Sequence, residues 1–290
     1  MNMSDNQLPH IGTVSTAEIQ SLNIRYAKGG TATGIPVLLT APWPESIYAF
    51  HRLLPVLGKE HPYIAVDLPG YGLSDSRPDV MSPEAMGNFV IALMTHFDLK
   101  RAHIVAPDVG TVAFLFAASQ RPDLFESLVI GGGAVRVELA AGQLKAIISS
   151  PPGSFANVDG ALGVKDYLDS AAQLTPGAII ADFRAASSGR RLEEASQYVR
   201  AYVTDLPKIE PLLEKIRTPA LLMAGRNDPI VPVTNGQLLA EKLPHNRFVI
   251  LDAGHRAWEE AASQYANEVH SWLGGGYHMV EKSAVKEQSL

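Results

Sequence analysis

Short apolar runs recur along the chain, and between them apolar residues return every three or four positions. Pro36-Val37-Leu38-Leu39-Thr40 and Tyr63-Ile64-Ala65-Val66 read as buried strands, the second ending at Asp67. Ala102-His103-Ile104-Val105, Leu128-Val129-Ile130, Ala220-Leu221-Leu222-Met223 and Phe248-Val249-Ile250-Leu251 read the same way. A helix is predicted from about Pro83 to Phe97. Ser82 is placed to cap it, Pro83 suits its first turn, and Met86, Phe89, Val90, Leu93 and Phe97 share one face. A second helix is predicted from about Gly110 to Gln120, and a last amphipathic one carries Trp258, Tyr265, Val269 and Trp272. Strands alternating with helices predict an α/β fold with a mostly parallel central sheet and helices on both faces.

Between residues 134 and 217 the strand signal disappears. Pro151-Pro152-Gly153 and several helical patches occupy this stretch, which is too long for a simple crossover. It reads as an inserted helical cap over the strand ends. The expected organisation is therefore a core at 1–133 and 218–290 with a cap at 134–217. Gly131-Gly132-Gly133 would be the neck of that cap. The tail from Gly274 to Leu290, Gly-rich and then polar, is expected to fray.

Composition narrows the function classes. The 290 residues are 46% hydrophobic and 19% charged, which supports a full core in one large domain or one with an insertion. There is no cysteine, so disulfides, thiol catalysis and Cys-ligated metals are excluded. Met1 to Pro9 lacks the features of a secretory signal, and no stretch reaches the ~18 apolar residues of a membrane span. A cytoplasmic protein without a membrane partner is expected. Against 30 acidic residues stand 24 basic ones, a balance that argues against a nucleic-acid partner. No metal-binding spacing is present, and the oligomeric state is not readable.

In an open α/β sheet, chemistry gathers at the carboxyl ends of the strands. Asp108, Asp228 and His255 each follow a predicted strand. Asp108 lies in Ala106-Pro107-Asp108-Val109-Gly110, with small residues two before and two after it. That spacing suits a sharp strand-to-helix turn that aims the central side chain at a cavity. It also suits a strand-end helix cap. Asp228-Pro229 as only a turn, and His255 as a loop histidine, are the weaker alternatives.

The wider pattern decides between these. Thr40-Ala41-Pro42-Trp43-Pro44-Glu45-Ser46, Asp67-Leu68-Pro69-Gly70-Tyr71-Gly72-Leu73-Ser74, Gly225-Arg226-Asn227-Asp228 and Ala253-Gly254-His255 stand in order with the elbow. Together they resemble the α/β-hydrolase superfamily over about residues 20 to 273. No Gly-x-Ser-x-Gly occurs, so the chain is more similar to the branches with an Asp nucleophile: epoxide hydrolases, and haloalkane and fluoroacetate dehalogenases. The resemblance implies that Asp108 is the nucleophile, His255 the base and Asp228 the acid that orients it. It implies oxyanion donors at the backbone N–H groups of Trp43 and Val109. The reaction needs no cofactor, only a small apolar organic substrate and water.

Dehalogenases of these branches place Trp or Arg after the nucleophile, where this chain has Val109. Epoxide hydrolases instead use two cap tyrosines as weak acids. Tyr198 stands 30 residues before Asp228 and is the first candidate; Tyr202 is the next. The other tyrosine would fall near Gly153 to Phe155, where none occurs, and Tyr167 is the nearest downstream. Trp43, Val109, Phe155, Phe183 and Met223 are candidates for an apolar lining. Ala41-Pro42 and Pro107 depart from the family's usual His-Gly and His. An epoxide hydrolase is the leading expectation. A carbon–halogen hydrolase with the same triad is the second, and a ligand-binding or non-hydrolytic protein of this fold the third.

Overall fold

The most buried runs of the chain form the middle of one sheet. The computed structural model describes residues 7–280. Its strands are β1 (Thr13–Ile19), β2 (Leu22–Gly30), β3 (Val37–Thr40), β4 (Pro62–Val66), β5 (Ala102–Pro107), β6 (Phe125–Gly131), β7 (Ala220–Gly225) and β8 (Asn246–Leu251). They form one sheet in the order β1-β2-β4-β3-β5-β6-β7-β8. β1 and β2 pair antiparallel, as do β2 and β4; every other pairing is parallel. β3, β5 and β7 are buried at every position, as strands covered on both faces must be.

The predicted helices form where expected. α1 (Pro83–His96) is capped by the Ser82 hydroxyl on the Ala85 N–H, and α2 (Val109–Gln120) runs back from the end of β5. Between β6 and β7 the regular elements of the described chain are all helices. Its main elements are α3 (Gly142–Ile148), α4 (Lys165–Ala171), α5 (Gly177–Ser187), α6 (Arg191–Arg200) and α7 (Tyr202–Ile209). Among the described residues no helix is long and apolar enough to cross a membrane.

Three features differ from the sequence expectations. The β1–β2 hairpin was not anticipated. Ile19 pairs with Leu22 across Gln20-Ser21, both at positive φ, and that dipeptide is not one of the usual hairpin signals. The last helix is two pieces, Ala257–Glu260 and α8 (Ala262–Ser271), interrupted at Ala261. The start of the tail is ordered rather than frayed. It continues as a helical turn from Trp272 to Gly276, and Tyr277 packs its ring edge-on against Trp272 and His103. The rest of that tail, from residue 281, lies outside the described residues.

A buried charge cluster ties the sheet to the helical segment. Arg25 on β2 donates from Nε to Asp67 (2.6 Å) and from both terminal nitrogens to Asp182 on α5 (2.8 and 2.9 Å). Ser46 also donates to Asp182, while the Ile47 and Leu73 N–H groups donate to Asp67. The two carboxylates tolerate burial because one guanidinium serves both. Replacing Arg25 with Met is expected to lower the unfolding free energy by about 3–5 kcal/mol, since two carboxylates then remain without their cation. Urea denaturation of the variant measures this, and a loss below about 1 kcal/mol would mean that the cluster is screened like a surface pair.

Candidate active site

β5 ends at Pro107 and α2 begins at Val109, leaving one residue for the turn. Asp108 makes it at φ 56° and ψ −123°, a conformation that L-residues adopt only under constraint. The surroundings supply the constraint. The Asp108 N–H donates to the Gly131 carbonyl (2.8 Å) at the end of β6, and Thr111 closes the turn onto the Asp108 carbonyl (3.0 Å). A Cβ on Gly110 would lie 2.5 Å from the Thr40 hydroxyl and 2.9 Å from the Ala106 methyl. A Cβ on Gly133 would lie 2.5 Å from the Asp108 carbonyl oxygen. The small residues around the elbow are thus required by contact. Gly131-Gly132-Gly133, read above as a neck for the cap, also packs against the elbow, through the Gly131 carbonyl and the Gly133 backbone.

The Asp108 carboxylate has two unlike oxygens. Oδ2 accepts from the Trp43 N–H at 2.7 Å. Oδ1 faces His255, whose Nε2 stops 3.7 Å away. On its other side, His255 Nδ1 lies 2.8 Å from Asp228 Oδ2. Asp228 Oδ1 accepts from the N–H groups of Ile230 and Val231, both at 2.8 Å, so its loop locks the carboxylate. Asp108, His255 and Asp228 therefore come together from the ends of β5, β8 and β7. Burial pulls the His255 imidazolium down, but the Asp108 and Asp228 carboxylates outweigh it and hold its pKa up at about 10.

A cavity of about 50 Å³ opens over Asp108. Trp43, Val109 and His255 line it, with Leu144, Ile147, Val164 and Val199 from the helical segment. Tyr167 and Tyr202 bring the phenols. Burial, then the charge of Asp108, push the Tyr202 phenol above its ordinary value, so it stands as an O–H donor. A second opening, with Gln143, Asn227, Arg256 and Glu260 in its wall, reaches His255 and Tyr167 from another side.

The first tyrosine candidate is placed elsewhere. Tyr198 is fully buried and does not line the cavity. Its hydroxyl donates to the Val109 carbonyl at 2.6 Å, and its ring stands edge-on between Tyr71 and Tyr202, with centroids 5.8 and 5.7 Å away. Tyr198 props the wall that carries Tyr202. The nearby Arg200 is held by Glu193 and Ser150, and it covers the Phe155 ring. Phe183 is in the core, and Met223 lies behind His255. Of the five proposed lining residues, Trp43 and Val109 reach the cavity.

One residue of this neighbourhood was not singled out. Glu45, one residue beyond Pro44, is completely buried. Its oxygens lie 2.6 Å from the Tyr167 hydroxyl and 2.9 Å from the Trp258 indole nitrogen. Trp258 in turn packs edge-on against His255, with centroids 6.0 Å apart. The available signal was an acidic residue directly after Trp43-Pro44 in a short loop that follows a strand.

Comparison with known proteins agrees with this architecture. A family model described as alpha/beta hydrolase fold matches residues 35–262. The pimeloyl-[acyl-carrier protein] methyl ester esterase of Neisseria meningitidis serogroup B is 27% identical over 252 residues, 83% of this chain and 93% of its own. The soluble epoxide hydrolase of Corynebacterium sp. strain C12 is 31% identical over 136 residues, 47% of this chain and 44% of its own. Among solved structures, the epoxide hydrolase CorEH has a TM-score of 0.76 at 19% identity, covering 89% of this chain and 96% of that one. At that identity the likeness is one of fold.

The two carboxylates around His255 have a measurable consequence. In Asp108→Asn one of them is gone, and the His255 pKa is expected to fall by about 1–3 units from its raised value. Ring-nitrogen NMR titration reads this directly, and an unchanged value would mean that Asp108 does not act on the imidazole. The stability sign follows. A raised folded pKa stabilises fully below the unfolded value of about 6.5 and is lost as pH climbs toward the folded one. Wild-type unfolding free energy should therefore drop between about pH 6.5 and the His255 value near 10, and drop less in Asp108→Asn.

Proposed function

The chain belongs to the alpha/beta-hydrolase fold family, and from that premise we propose that it opens a small, largely apolar epoxide to a diol through a covalent ester on Asp108. The observation that carries this reading is the pairing of a carboxylate at the elbow with two phenols, Tyr167 and Tyr202, in the wall of the same cavity. A carboxylate attacks an sp³ carbon without first losing a proton. The oxygen it displaces is a poor leaving group and needs a weak acid beside it, which a phenol supplies. The helices between β6 and β7 then act as a cap that brings both phenols to the site.

The two oxygens of Asp108 divide the work. Oδ1, free of hydrogen bonds from the protein backbone, attacks the ring carbon. The C–O bond of the epoxide breaks toward its oxygen, which takes a hydrogen bond and then a proton from the tyrosines. Oδ2 becomes the ester carbonyl and stays on the Trp43 N–H, where the oxyanion of the second step needs its donor. Val109, at the start of α2, is the second donor that family resemblance assigns.

Alkylation also switches the base on. While Asp108 is anionic, its charge helps hold His255 protonated. Once Asp108 is an ester that charge is gone, and His255 releases its proton, which makes good the one the tyrosines gave to the leaving oxygen. Asp228 keeps Nδ1 protonated, so Nε2 is the basic site. Water arriving beside His255 gives Nε2 a proton and adds to the Asp108 carbonyl carbon, and collapse releases the diol.

Turnover in ¹⁸O water is the test, with a panel of aryl and alkyl epoxides. One labelled oxygen is expected in the Asp108 peptide, and the diol of a first turnover is expected unlabelled. His255→Gln is expected to accumulate a protein adduct of substrate mass, because attack does not need the base and hydrolysis does. Unlabelled Asp108 in an active enzyme would end this reading. Release of halide from haloalkanes, without diol from any epoxide, would assign the same triad to carbon–halogen hydrolysis. Tyr202→Phe is expected to slow ester formation by about 100-fold, the usual range for loss of a general acid.

A further inference from the structure

Glu45 is a buried carboxyl group that the scheme above leaves unused. Its contacts constrain where a proton can sit. Oε2 lies 2.9 Å from Trp258 Nε1, and an indole N–H can only donate. Oε2 is therefore an acceptor whatever the charge of Glu45. Oε1 lies 2.6 Å from the Tyr167 hydroxyl oxygen, and one proton must lie between them. If Glu45 is ionised, that proton is the phenol's own, and Tyr167 has none left for a substrate. If Glu45 is neutral, the proton is the carboxyl's. Tyr167 then accepts it and turns its own O–H elsewhere, toward the cavity that its side chain lines.

The surroundings favour the neutral form. Glu45 has no exposed surface, and among the described residues no cation lies within salt-bridge distance of it. The charge nearest in effect is a like one, Glu259. Arg256 donates to Glu259 at 2.7 Å and faces Glu260, while its guanidinium covers the Tyr167 ring at 5.4 Å. Thr175 donates to the other Glu259 oxygen, and Arg52 bonds backbone carbonyls of Glu259 and Leu174. His255 meets Trp258 at its edge. Burial, and then Glu259, raise the Glu45 pKa well above the carboxylate range, against the weaker opposing pull of Tyr167, Trp258 and Arg256.

We propose that Glu45 is a neutral positioning residue that donates its Oε1 proton to Tyr167 and so turns the Tyr167 hydroxyl into the cavity as the donor to the leaving oxygen. This rests on the reading of Asp108 as an epoxide-opening nucleophile. As the Asp108 Oδ1–carbon bond forms and the epoxide C–O bond breaks, the departing oxygen takes the Tyr167 proton. Tyr167 takes the Glu45 proton, which leaves Glu45 anionic. The proton that His255 releases once the ester has formed restores Glu45. Of the two protons of the water consumed later, one passes through His255 to the second hydroxyl of the diol, and the other leaves His255 protonated again.

Glutamine separates the two protonation states. A Gln side chain can accept from Trp258 with its carbonyl and donate an N–H to Tyr167, which mimics neutral Glu45 and not the carboxylate. The rate of Asp108 ester formation is measured in the His255→Gln background with an aryl epoxide. Glu45→Leu and Tyr167→Phe are each expected to slow it by about 100-fold, and Glu45→Gln to recover most of that loss. Combining Glu45→Leu with Tyr167→Phe is expected to be no slower than Tyr167→Phe alone, because Glu45 acts through Tyr167. Infrared difference spectra of wild type against Glu45→Gln at neutral pH should contain the C=O band of a protonated carboxyl. The inference is overturned if Glu45→Gln is as slow as Glu45→Leu, if the two losses multiply, or if that band is missing while the Asp108 ester still forms. If His255→Gln forms no Asp108 ester with any epoxide, the epoxide reading and this inference fall together.

Discussion

Asp108 must hold a positive φ and turn its carboxylate into the cavity at once, and much of the neighbouring sequence answers to that demand. A non-glycine residue at φ 56° costs roughly 1–3 kcal/mol, which local sequence alone does not return. The return comes from the end of β6, whose Gly131 carbonyl takes the Asp108 N–H, and from Thr111, which bonds both the Ala106 and Gly131 carbonyls through its hydroxyl. Gly110 and Gly133 leave room where any Cβ would collide with Thr40 or with Asp108 itself. The elbow is thus a packing solution shared by β3, β5, β6 and α2, and it fixes where the carboxylate can point.

Three buried acids then lie at or just behind the cavity wall in three electrostatic settings. Asp108 has one oxygen on a backbone N–H and the other facing an imidazole. Asp228 is occupied by two backbone N–H groups and His255, so it serves as a fixed anion. Glu45 has two neutral partners and an anion nearby, and its ionised form is the one disfavoured. Side chains of one chemical kind are differentiated by which donors the backbone brings to them. The proposed roles of nucleophile, orienter and proton holder are compatible because the settings differ.

Much of the core was legible because its signals are local. Buried strands announce themselves as apolar runs, and the positions after β5, β7 and β8 carried Asp108, Asp228 and His255 in sequence order. The β1–β2 hairpin was not legible, since β1 is largely exposed and its turn lacks the usual residues. Glu45 was overlooked for the opposite reason. A lone acid in a loop looks like a solvated charge, and only the arrival of Tyr167 from α4 and Trp258 from beyond β8 makes it a buried group. Tyr198 was preferred to Tyr202 by spacing alone. Two tyrosines four apart resemble each other in sequence, but one faces the Val109 carbonyl and the other the cavity.

The tyrosines also show why the helical segment has to be docked with care. A phenol assists a leaving oxygen only if it stands within hydrogen-bond reach, and both Tyr167 and Tyr202 belong to helices outside the sheet. Arg25 reaches across from β2 to Asp182 on α5, and Ser46, beside Glu45, bonds the same carboxylate. Tyr198 anchors α6 to the first residue of α2, one position beyond Asp108. The segment is therefore tied to the sheet at the very loops that build the elbow and the Trp43 donor. A shift of the helices would move the tyrosines and disturb these loops together, so the phenols and the Asp108 carboxylate hold a common geometry.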